Sequence, residues 1–590
     1  MDDVELKNEL FVGYKMSGCK FTKELHRLRK SSSDSIDNVE RFDEFKKYMH
    51  VTRHAEMDLK DILKRVNVAG KKSLVLLCGS AGDGKSHLLS YLKNSDEEKL
   101  LEDYLVYNDA TESSAPSKTA IDTLTEVLSG FSDDRLNEPG KSIILAINLG
   151  VLSNFIESEY GEHFQDLKKY VEKSNILTSQ INDNHFDENC RFQHVSFSDY
   201  HMYSLKSGGA SPKYIEDILE KIFMDLNGNP FYSSYTSDCS VCTLSQKCPI
   251  KKNYEFMMER NHQKYIANLL IKSTIKDKEI LTTREILNYL YDILVPQDFS
   301  FTKLQKLLIN DANFLKEFIK EITPVLMFDY SDLTTLMNRI RKYDPLLIRS
   351  ENADELAISY YVSSDITKNI EETLEESPYE SILCDKSLIP IINDDKSLKS
   401  QVFNVLVRIN LMKAQEVVDE IYQGYLKNMY LYNAGKYSGL SSIYSMVEKG
   451  IVQWCGSEAE GNICLDDKHN GFVLYEYIKF EEYLDNVPIC VNSDELQRFI
   501  PAIIVEFEST KNHEIIPLYI DYSLYELIYK LNHGYTQTAD DRNNHADFIS
   551  FISKILRTGS ASESLIVVSE NKQKANIEKS KFGYKFKVVR

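Results

Sequence analysis

The feature that most constrains this sequence is a glycine-rich loop that directly follows a short apolar segment. Residues 79–86 read GSAGDGKS and fit the pattern G-x-x-x-x-G-K-[S/T]; residues 73–78 predict a buried strand, and residues 87–92 open a predicted helix. Glycines allow such a loop to turn so that its main-chain N–H groups converge on a phosphate, and the N-terminus of the following helix adds a positive dipole. The sequence therefore predicts a phosphate-binding loop; the alternative is an ordinary glycine-rich turn between strand and helix.

The side chains of this loop have distinct predicted roles. Lys85 would reach the β- and γ-phosphate oxygens and the Ser86 hydroxyl would bind Mg²⁺, which makes ATP and Mg²⁺ the predicted cofactors. The predicted nucleotide contacts are Gly79, Ser80, Ala81, Gly82, Asp83, Gly84, Lys85, Ser86 and His87.

Hydrolysis of a triphosphate also requires a carboxylate near the metal and a group that orients water. Asp109 and Glu112 follow the second predicted strand, at the sheet edge where ligands bind in open α/β folds; the alternative for Asp109 is a turn cap. Asn148 follows the third predicted strand and resembles the polar sensor of AAA-type ATPases, but a strand-end amide that satisfies the main chain explains it equally well. Arg284 could reach the nucleotide as a second sensor or could be a solvated arginine.

Short apolar segments alternate with helical segments over residues 73–197, which is typical of parallel βαβ units. The predicted fold class is α/β: the parallel sheet of an AAA-like P-loop NTPase, with helical N-terminal and lid regions and an α+β C-terminal domain. A capping-box pattern at residues 282–285 opens the lid. The predicted strands of the sheet are 73–78, 104–107, 142–147 and 192–197. The predicted domains are a helical region at 1–70, the NTPase core at 71–272 with a cysteine-rich insertion at 227–252, a helical lid at 273–435 and the C-terminal domain at 436–590.

The C-terminal region combines β-like segments, at residues 472–478, 500–507 and 584–589, with a basic end. Seven basic side chains stand against Glu578 alone in the last twenty residues, and aromatic residues lie between them. Such a tail suits contact with a phosphate backbone. A terminal strand with a solvated lysine face is the alternative that the pattern favours.

Three cysteines, Cys239, Cys242 and Cys248, occur in the pattern C-x-x-C-x₅-C-P. A cluster of soft ligands in a chain with few cysteines predicts a structural Zn²⁺ site, with Cys190 as the fourth ligand. An Fe–S cluster and a group of reduced thiols are the alternatives. The other candidates for the fourth ligand are His185, His194 and His262.

The chain carries 70 Lys and Arg against 90 Asp and Glu, a net charge of −20, so the molecule as a whole should repel nucleic acid and anionic membranes. Any contact with DNA is expected to be local or to come through a partner. No apolar run approaches the roughly 18 residues that a membrane-spanning helix needs, and ten scattered cysteines do not suggest a secreted disulfide framework. We therefore expect a cytoplasmic protein without a membrane segment.

Six motifs taken together resemble one family of bacterial proteins. They are GSAGDGKSH at 79–87, NDAT at 108–111, AINLG at 146–150, the cysteine motif at 239–249, DPLLIR at 344–349 and VQWCG at 452–456. In this order, over about residues 50–460, the chain resembles the DptF (DndF) family of DNA phosphorothioation-dependent restriction proteins. The resemblance implies an ATP-binding and ATP-hydrolysing subunit of an antiphage restriction complex, with Lys85 and Ser86 at the nucleotide.

The resemblance also implies partners: DptG-like and DptH-like restriction subunits that act with this chain on DNA lacking the sulfur modification. The sequence departs from an ordinary ATPase because no strand ends in an unambiguous acidic residue. The alternative is therefore a non-hydrolysing, ATP-dependent scaffold or DNA-binding module of a defence complex. A nuclease is not predicted, since the nearest carboxylate and lysine pattern, at residues 505–511, has the wrong spacing. A monomer and a homo-oligomer both remain open.

Overall fold

The structure is a computed structural model. Four residues named above, Ala81, Asp109, Glu112 and His185, lie outside the residues that it describes. The described residues are 19–33, 44–80, 82–95, 98–108, 119–177, 181, 186–348, 351–362, 366–414, 419–456, 462–469, 471–478, 481–508, 513–558, 561–569 and 573–589.

The chain divides into two compact units. The first contains Met1–Tyr203 and Pro212–Val417, and the second contains Ser204–Ser211 and Val418–Arg590. The glycine-rich loop, the cysteine motif and the predicted lid all belong to the first unit. The finer division into four domains stays a prediction.

A four-stranded, all-parallel sheet lies in the first unit and gives the protein its mixed α/β character. Its strands are β1 (Leu74–Cys78), β2 (Tyr104–Tyr107), β3 (Ser142–Ile147) and β4 (Phe192–Ser196), in the order β2-β3-β1-β4. All four predicted strands are therefore confirmed. Cys78 of β1 pairs with Ile147 of β3 and with Ser196 of β4, so the carboxyl ends of these three strands lie level.

Both faces of β1 are buried, which explains its uninterrupted apolar sequence. Val75 and Leu77 pack into one core with the helix His54–Ala69, whereas Leu74 and Leu76 pack into a second core on the opposite face. The helices of this part of the chain are α1 (Lys20–Ser33), α2 (Glu44–Met49), α3 (His54–Ala69), α4 (Lys85–Ser95), α5 (Ala120–Leu128), α6 (Leu149–Glu157) and α7 (Gln165–Lys173).

The rest of the first unit is helical, as the sequence predicts for residues beyond 281. The predicted capping box is confirmed: the Thr282 hydroxyl accepts the Glu285 N–H at 3.2 Å, and the Glu285 carboxylate accepts the Thr282 N–H at 2.9 Å. The helices are α8 (Lys213–Phe223), α9 (Pro230–Val241), α10 (Pro249–Met258), α11 (Arg260–Asp277), α12 (Thr283–Leu294), α13 (Phe301–Leu307), α14 (Asp311–Lys320), α15 (Thr323–Asp329), α16 (Thr335–Arg341), α17 (Glu351–Val362), α18 (Ile366–Leu374), α19 (Glu380–Leu383), α20 (Ile389–Asp394) and α21 (Lys396–Ala414).

A buried arginine ties these helices together. Arg408 is 2% exposed and donates to both carboxylate oxygens of Asp344, at 3.0 and 2.6 Å, to Asp329 at 2.6 Å and to the Pro324 carbonyl at 3.2 Å. Asp344, the first residue of the DPLLIR motif, is itself buried. The guanidinium therefore joins α21 to α15 and to the turn after α16.

We expect Arg408→Met to destabilise the first unit by about 3–5 kcal/mol, because the substitution leaves Asp344 buried without its counter-ion. Chemical denaturation followed by circular dichroism measures the change. Lys368→Met, which removes an exposed partner of Glu372, is the control and should change stability by less than about 0.5 kcal/mol. A denaturation midpoint unchanged by Arg408→Met would contradict this role of the network.

The second unit combines helices with three further sheets, in the orders β10-β5-β6, β12-β11-β9 and β15-β14-β13-β8-β7. Two predicted segments match strands β8 and β15; the third begins three residues late, at Ile503, just after Pro501. The strands are β5 (Tyr200–Lys206), of which this unit contains the residues from Ser204 onwards, β6 (Gly209–Ser211), β7 (Asn462–His469), β8 (Phe472–Ile478), β9 (Glu481–Tyr483), β10 (Glu495–Arg498), β11 (Ile503–Glu508), β12 (Ile515–Ile520), β13 (Ala561–Ser569), β14 (Lys574–Ser580) and β15 (Gly583–Val589). The helices are α22 (Glu420–Asn433), α23 (Ser441–Cys455), α24 (Tyr522–Asn532), α25 (Ala539–Asn544) and α26 (Ala546–Thr558).

Within the described parts of both units, no helix combines the length and the apolar composition that crossing a bilayer requires.

Candidate functional site

The glycine-rich loop connects β1 to α4, as the sequence predicts. The last strand residue is Cys78, and Lys85 is the first residue of α4. Gly82 and Gly84 have φ angles of +89° and +92°, a region that other residues rarely adopt. A Cβ atom on Gly82 would also lie 3.0 Å from Thr282 Cγ2. These two positions therefore require glycine for the conformation that the loop has.

One main-chain N–H of the loop already faces an anionic group, the carboxylate of Asp83 in the loop itself. The Ser80 N–H donates to Asp83 Oδ2 at 2.5 Å, and Lys85 Nζ donates to the Ser80 carbonyl at 2.6 Å. Burial raises the pKa of Asp83, against the opposing effect of Lys85, the Ser80 N–H and Arg53. A main-chain amide of the loop thus faces an anionic oxygen, which is the arrangement that a phosphate requires.

Arg53 braces this loop from the residue before α3, and the sequence analysis missed it. Its guanidinium donates to the Asp83 carbonyl at 2.7 Å and to the Tyr200 carbonyl at 3.1 Å. It also lies over the rings of Phe197 and Tyr214, 5.7 and 5.5 Å from their centroids. Arg53 therefore links the glycine-rich loop to the turn that follows β4.

A chain of hydrogen bonds supports the first turn of α4. His87 Nε2 lies 3.2 Å from His50 Nδ1, and His50 Nε2 lies 2.9 Å from Glu56 Oε2. The His50 ring also stacks on Tyr91, with centroids 3.5 Å apart. Burial lowers the pKa of His87 to about 4, so this ring is neutral at pH 7. His87, a predicted nucleotide contact, thus has its ring engaged by His50.

Asn148 directly follows β3, the strand next to β1. Its Oδ1 accepts the Gly150 N–H at 2.9 Å and caps α6. A strand-end amide that bonds the main chain is the alternative that the sequence analysis gives to a phosphate sensor. The sensor role of Asn148 stays a prediction.

A carboxylate that the sequence analysis missed, Asp199, lies at the other side of β1. It belongs to the short turn Phe197–Asp199 after β4 and is 8% exposed. Burial raises the pKa of Cys78 to about 12, and the charges of Lys85 and Asp199 act on this same thiol in opposite directions. Asp199 and Lys85 therefore both lie near the end of β1. The sequence contained a signal for Asp199, because this carboxylate lies only two residues after the end of the predicted fourth strand.

Arg284 is exposed in the first turn of α12, the predicted lid helix. The N-cap residue of that helix, Thr282, approaches Gly82 of the loop. The fold thus brings the start of α12, where the sequence predicts a second sensor, to the glycine-rich loop. Asp109 and Glu112 lie outside the described residues, and their roles stay predictions.

The predicted zinc ligands are not assembled as a set. Among the described residues, no three or more His, Cys, Asp or Glu side chains are grouped so that they could hold a metal ion. Cys190 lies just before β4, where its sulfur accepts the Phe192 N–H at 3.4 Å and it packs against the core of the sheet. The other three cysteines lie at the end of α9 and the start of α10.

The two described histidine candidates for the fourth ligand have other contacts. His194 pairs with the Tyr170 hydroxyl at 2.8 Å, and His262 pairs with the Phe256 carbonyl at 2.8 Å. Burial lowers the pKa of His262 to about 4. A bound metal and the identity of its fourth ligand stay predictions, and His185, the remaining candidate, lies outside the described residues.

Neither protein-family models, nor curated proteins, nor solved structures gave a match to this chain. Its site is therefore interpreted from its own geometry.

Proposed function

We propose that this chain is a P-loop NTPase that binds ATP with Mg²⁺ at residues 79–86 and hydrolyses it. The observation that carries the proposal is the environment of Asp83, whose carboxylate accepts a loop N–H beside Lys85 at the N-terminus of α4. A strand, a loop with two positive-φ glycines and a helix N-terminus form an anion site, and GKS supplies the side chains for a triphosphate.

Binding requires two local exchanges of hydrogen bonds. A phosphate oxygen replaces Asp83 as the acceptor of the Ser80 N–H, and Lys85 Nζ leaves the Ser80 carbonyl for the phosphate. The Ser86 hydroxyl would hold Mg²⁺, which when bound neutralises charge on the β- and γ-phosphates. These exchanges favour binding because the main-chain N–H of Ser80 and the ammonium group of Lys85 both donate hydrogen bonds to phosphate oxygens.

Hydrolysis requires a carboxylate, and Asp199 is the described residue best placed for it. Its charge lies near the end of β1 together with that of Lys85. At this edge of the sheet a carboxylate can accept a proton from the attacking water or bind a water of the metal. Arg53, whose guanidinium lies over Phe197 of the same turn, would keep the turn in place against the loop.

The biological role that we propose is the ATPase subunit of a phosphorothioation-dependent restriction complex, acting with DptG-like and DptH-like subunits. The support is the resemblance of the six sequence motifs, and Asp344 of one motif lies in the buried Arg408 network. The net charge of −20 favours DNA contact through the complex. A non-hydrolysing scaffold is the second candidate, and the capping role of Asn148 favours it, because β3 then supplies no catalytic group.

Calorimetry with ATP and Mg²⁺ tests binding, and phosphate release by the purified chain, alone and with its partners and unmodified DNA, tests hydrolysis. We expect binding by the chain alone and faster turnover in the complex. Binding without turnover in the complete assembly would favour the scaffold, whereas no binding in any state would refute the nucleotide site.

We expect Asp83→Asn to increase affinity for ATP about tenfold, because the substitution removes the anion that competes for the Ser80 N–H, a contact worth about 1–1.5 kcal/mol. Protonation of Asp83 has the same effect. Since burial raises its pKa, wild-type affinity should rise relative to Asp83→Asn as the pH falls towards that pKa.

Calorimetric titration of both proteins across a pH series measures this difference. Asp103→Asn, which changes an exposed carboxylate of the same unit, should leave affinity unchanged at every pH. Equal affinities of wild type and Asp83→Asn at neutral pH would show that Asp83 does not compete with phosphate.

A further inference from the structure

We propose that Cys19, together with Cys239, Cys242 and Cys248, forms a four-thiolate site for one structural Zn²⁺ ion. The sequence analysis did not consider Cys19, which lies far from the cysteine motif along the chain. The proposal concerns a part of the first unit that the nucleotide site does not use, and it stands independently of ATP binding.

The packing of α1 carries Cys19 to the cysteine motif. Cys19 directly precedes α1, and its carbonyl accepts the Lys23 N–H at 3.3 Å in the first turn. That helix packs against α9 and α12. The Phe21 ring lies 5.9 Å from the Tyr235 ring of α9 and 5.0 Å, edge to face, from the Tyr254 ring of α10. Since Tyr235 lies about one helical turn before Cys239, the first residues of α1 meet the end of α9 that bears the motif.

The segment between α9 and α10 is a compact turn. Cys242 is the residue after α9, and its carbonyl accepts the Ser245 N–H at 3.1 Å. Cys248 is the N-cap of α10, and its N–H reaches the Ser245 carbonyl at 3.5 Å. The two cysteines thus stand at the two ends of one turn, with Cys239 in the last turn of α9 beside them.

Two main-chain N–H groups and a helix N-terminus oppose the effect of burial on Cys248, which raises the pKa of its thiol. Its sulfur accepts main-chain N–H groups of Ile250 and Lys251, at the N-terminus of α10, where the helix dipole also favours negative charge. Hydrogen bonds of this kind orient and stabilise metal-bound sulfur. Cys248 and Cys239 are 7% and 8% exposed, which is the burial expected of structural ligands.

Electrostatic coupling gives a second indication that the four thiols are neighbours. Burial raises the pKa of Cys239 and of Cys248, each to about 12, and both Cys19 and Cys242 lie close enough to contribute to each rise. The sulfur of Cys190 accepts the Phe192 N–H at 3.4 Å instead, and the charged neighbours that act on its pKa are Asp187 and Lys173. Cys19 therefore replaces Cys190 as the fourth ligand.

The elements that carry the four cysteines pack together, but no three of the described ligands are grouped tightly enough to hold a metal. Zn–S bonds are about 2.3 Å long, so zinc binding must draw the turn between Cys242 and Cys248 towards the start of α1. Four soft ligands favour tetrahedral zinc and leave no open coordination position. The ion would fasten α1 to the α9–α10 turn.

The experiment measures metal in the full-length protein and in three variants, Cys19→Ser, Cys190→Ser and Cys490→Ser. Elemental analysis of wild type should find about one zinc per chain. Cys190→Ser and the exposed control Cys490→Ser should keep it. Cys19→Ser should weaken zinc binding, in competition with a chromogenic chelator, by more than the 10- to 100-fold typical of losing only a ligand's hydrogen-bond partner.

The absorption spectrum of the cobalt-substituted protein reports the number of thiolate ligands, even if a variant is less stable than wild type. The thiolate-to-cobalt charge-transfer band of wild type should correspond to four thiolates, and that of Cys19→Ser to three, with circular dichroism as the check on folding. Three results would overturn the proposal: no zinc after reconstitution, the visible absorption of an Fe–S cluster, or a cobalt spectrum and zinc affinity that Cys19→Ser leaves unchanged while Cys190→Ser loses them.

Discussion

Lys85→Ala is expected to weaken ATP binding about 100-fold and to reduce phosphate release to background. The ammonium would donate charge-assisted hydrogen bonds to phosphate oxygens, and each such bond contributes roughly 1.5–3 kcal/mol. Two bonds of the lower value correspond to about 100-fold in affinity. The loss in turnover should be larger, because charge that develops on the phosphoryl oxygens is no longer compensated.

The same variant should barely change the fold, since Lys85 Nζ bonds the Ser80 carbonyl at the edge of the loop and not in the core. Lys93→Ala is the matched control: this lysine is exposed in the last turn of the same helix and should have no effect on binding. Calorimetry with ATP and Mg²⁺ measures affinity, and a coupled assay measures phosphate release. Lys85→Ala that binds and hydrolyses like wild type would mean that the loop is only a turn.

The strands of the parallel sheet could be predicted because the apolar pattern of each strand lies within a few consecutive residues. β1 is buried on both faces and reads as an unbroken apolar run, and β3 does so nearly as well. The capping box of α12 likewise needs only four consecutive residues. Buried strands and capping boxes depend on residues that are close together in the sequence, so they can be recognised from the sequence alone.

The residues that the sequence analysis missed owe their positions to the topology. Arg53 reaches the loop because α3 packs on the sheet, and Asp199 lies near the end of β1 because β4 pairs with β1. Cys19 approaches the cysteine motif because α1 packs on α9. Cys190 was the preferred fourth zinc ligand because a thiolate is a soft ligand. Its position just before β4 packs it against the core of the sheet. The pattern of residues along the chain does not reveal these spatial contacts, because they depend on how the strands and helices pack against one another.

Asp199→Asn is expected to lower the rate of ATP hydrolysis about 100-fold while changing ATP affinity by no more than about threefold. A positioned carboxylate that accepts a proton in the transition state typically contributes 10²–10⁴-fold. Asparagine keeps the size of the side chain and its ability to form hydrogen bonds, but it cannot take up the proton. Since Asp199 lies beside the strand end and not in the loop, the phosphate contacts of residues 79–86 should survive.

A lower rate of ATP hydrolysis with nearly unchanged ATP affinity is the result that would identify Asp199 as a catalytic residue. Single-turnover hydrolysis with calorimetry on the same preparations measures both, and Glu188→Gln, an exposed carboxylate just before β4, is the control that should alter neither. Asp109→Asn and Glu112→Gln complete the set, because the sequence places those carboxylates after β2. If one of them abolishes turnover and Asp199→Asn does not, the carboxylate that acts as the general base follows β2, and Asp199 only shapes the turn that Arg53 holds. If Asp199→Asn alone abolishes turnover, hydrolysis takes place between β1 and β4, on the side of the loop-bearing strand opposite Asn148.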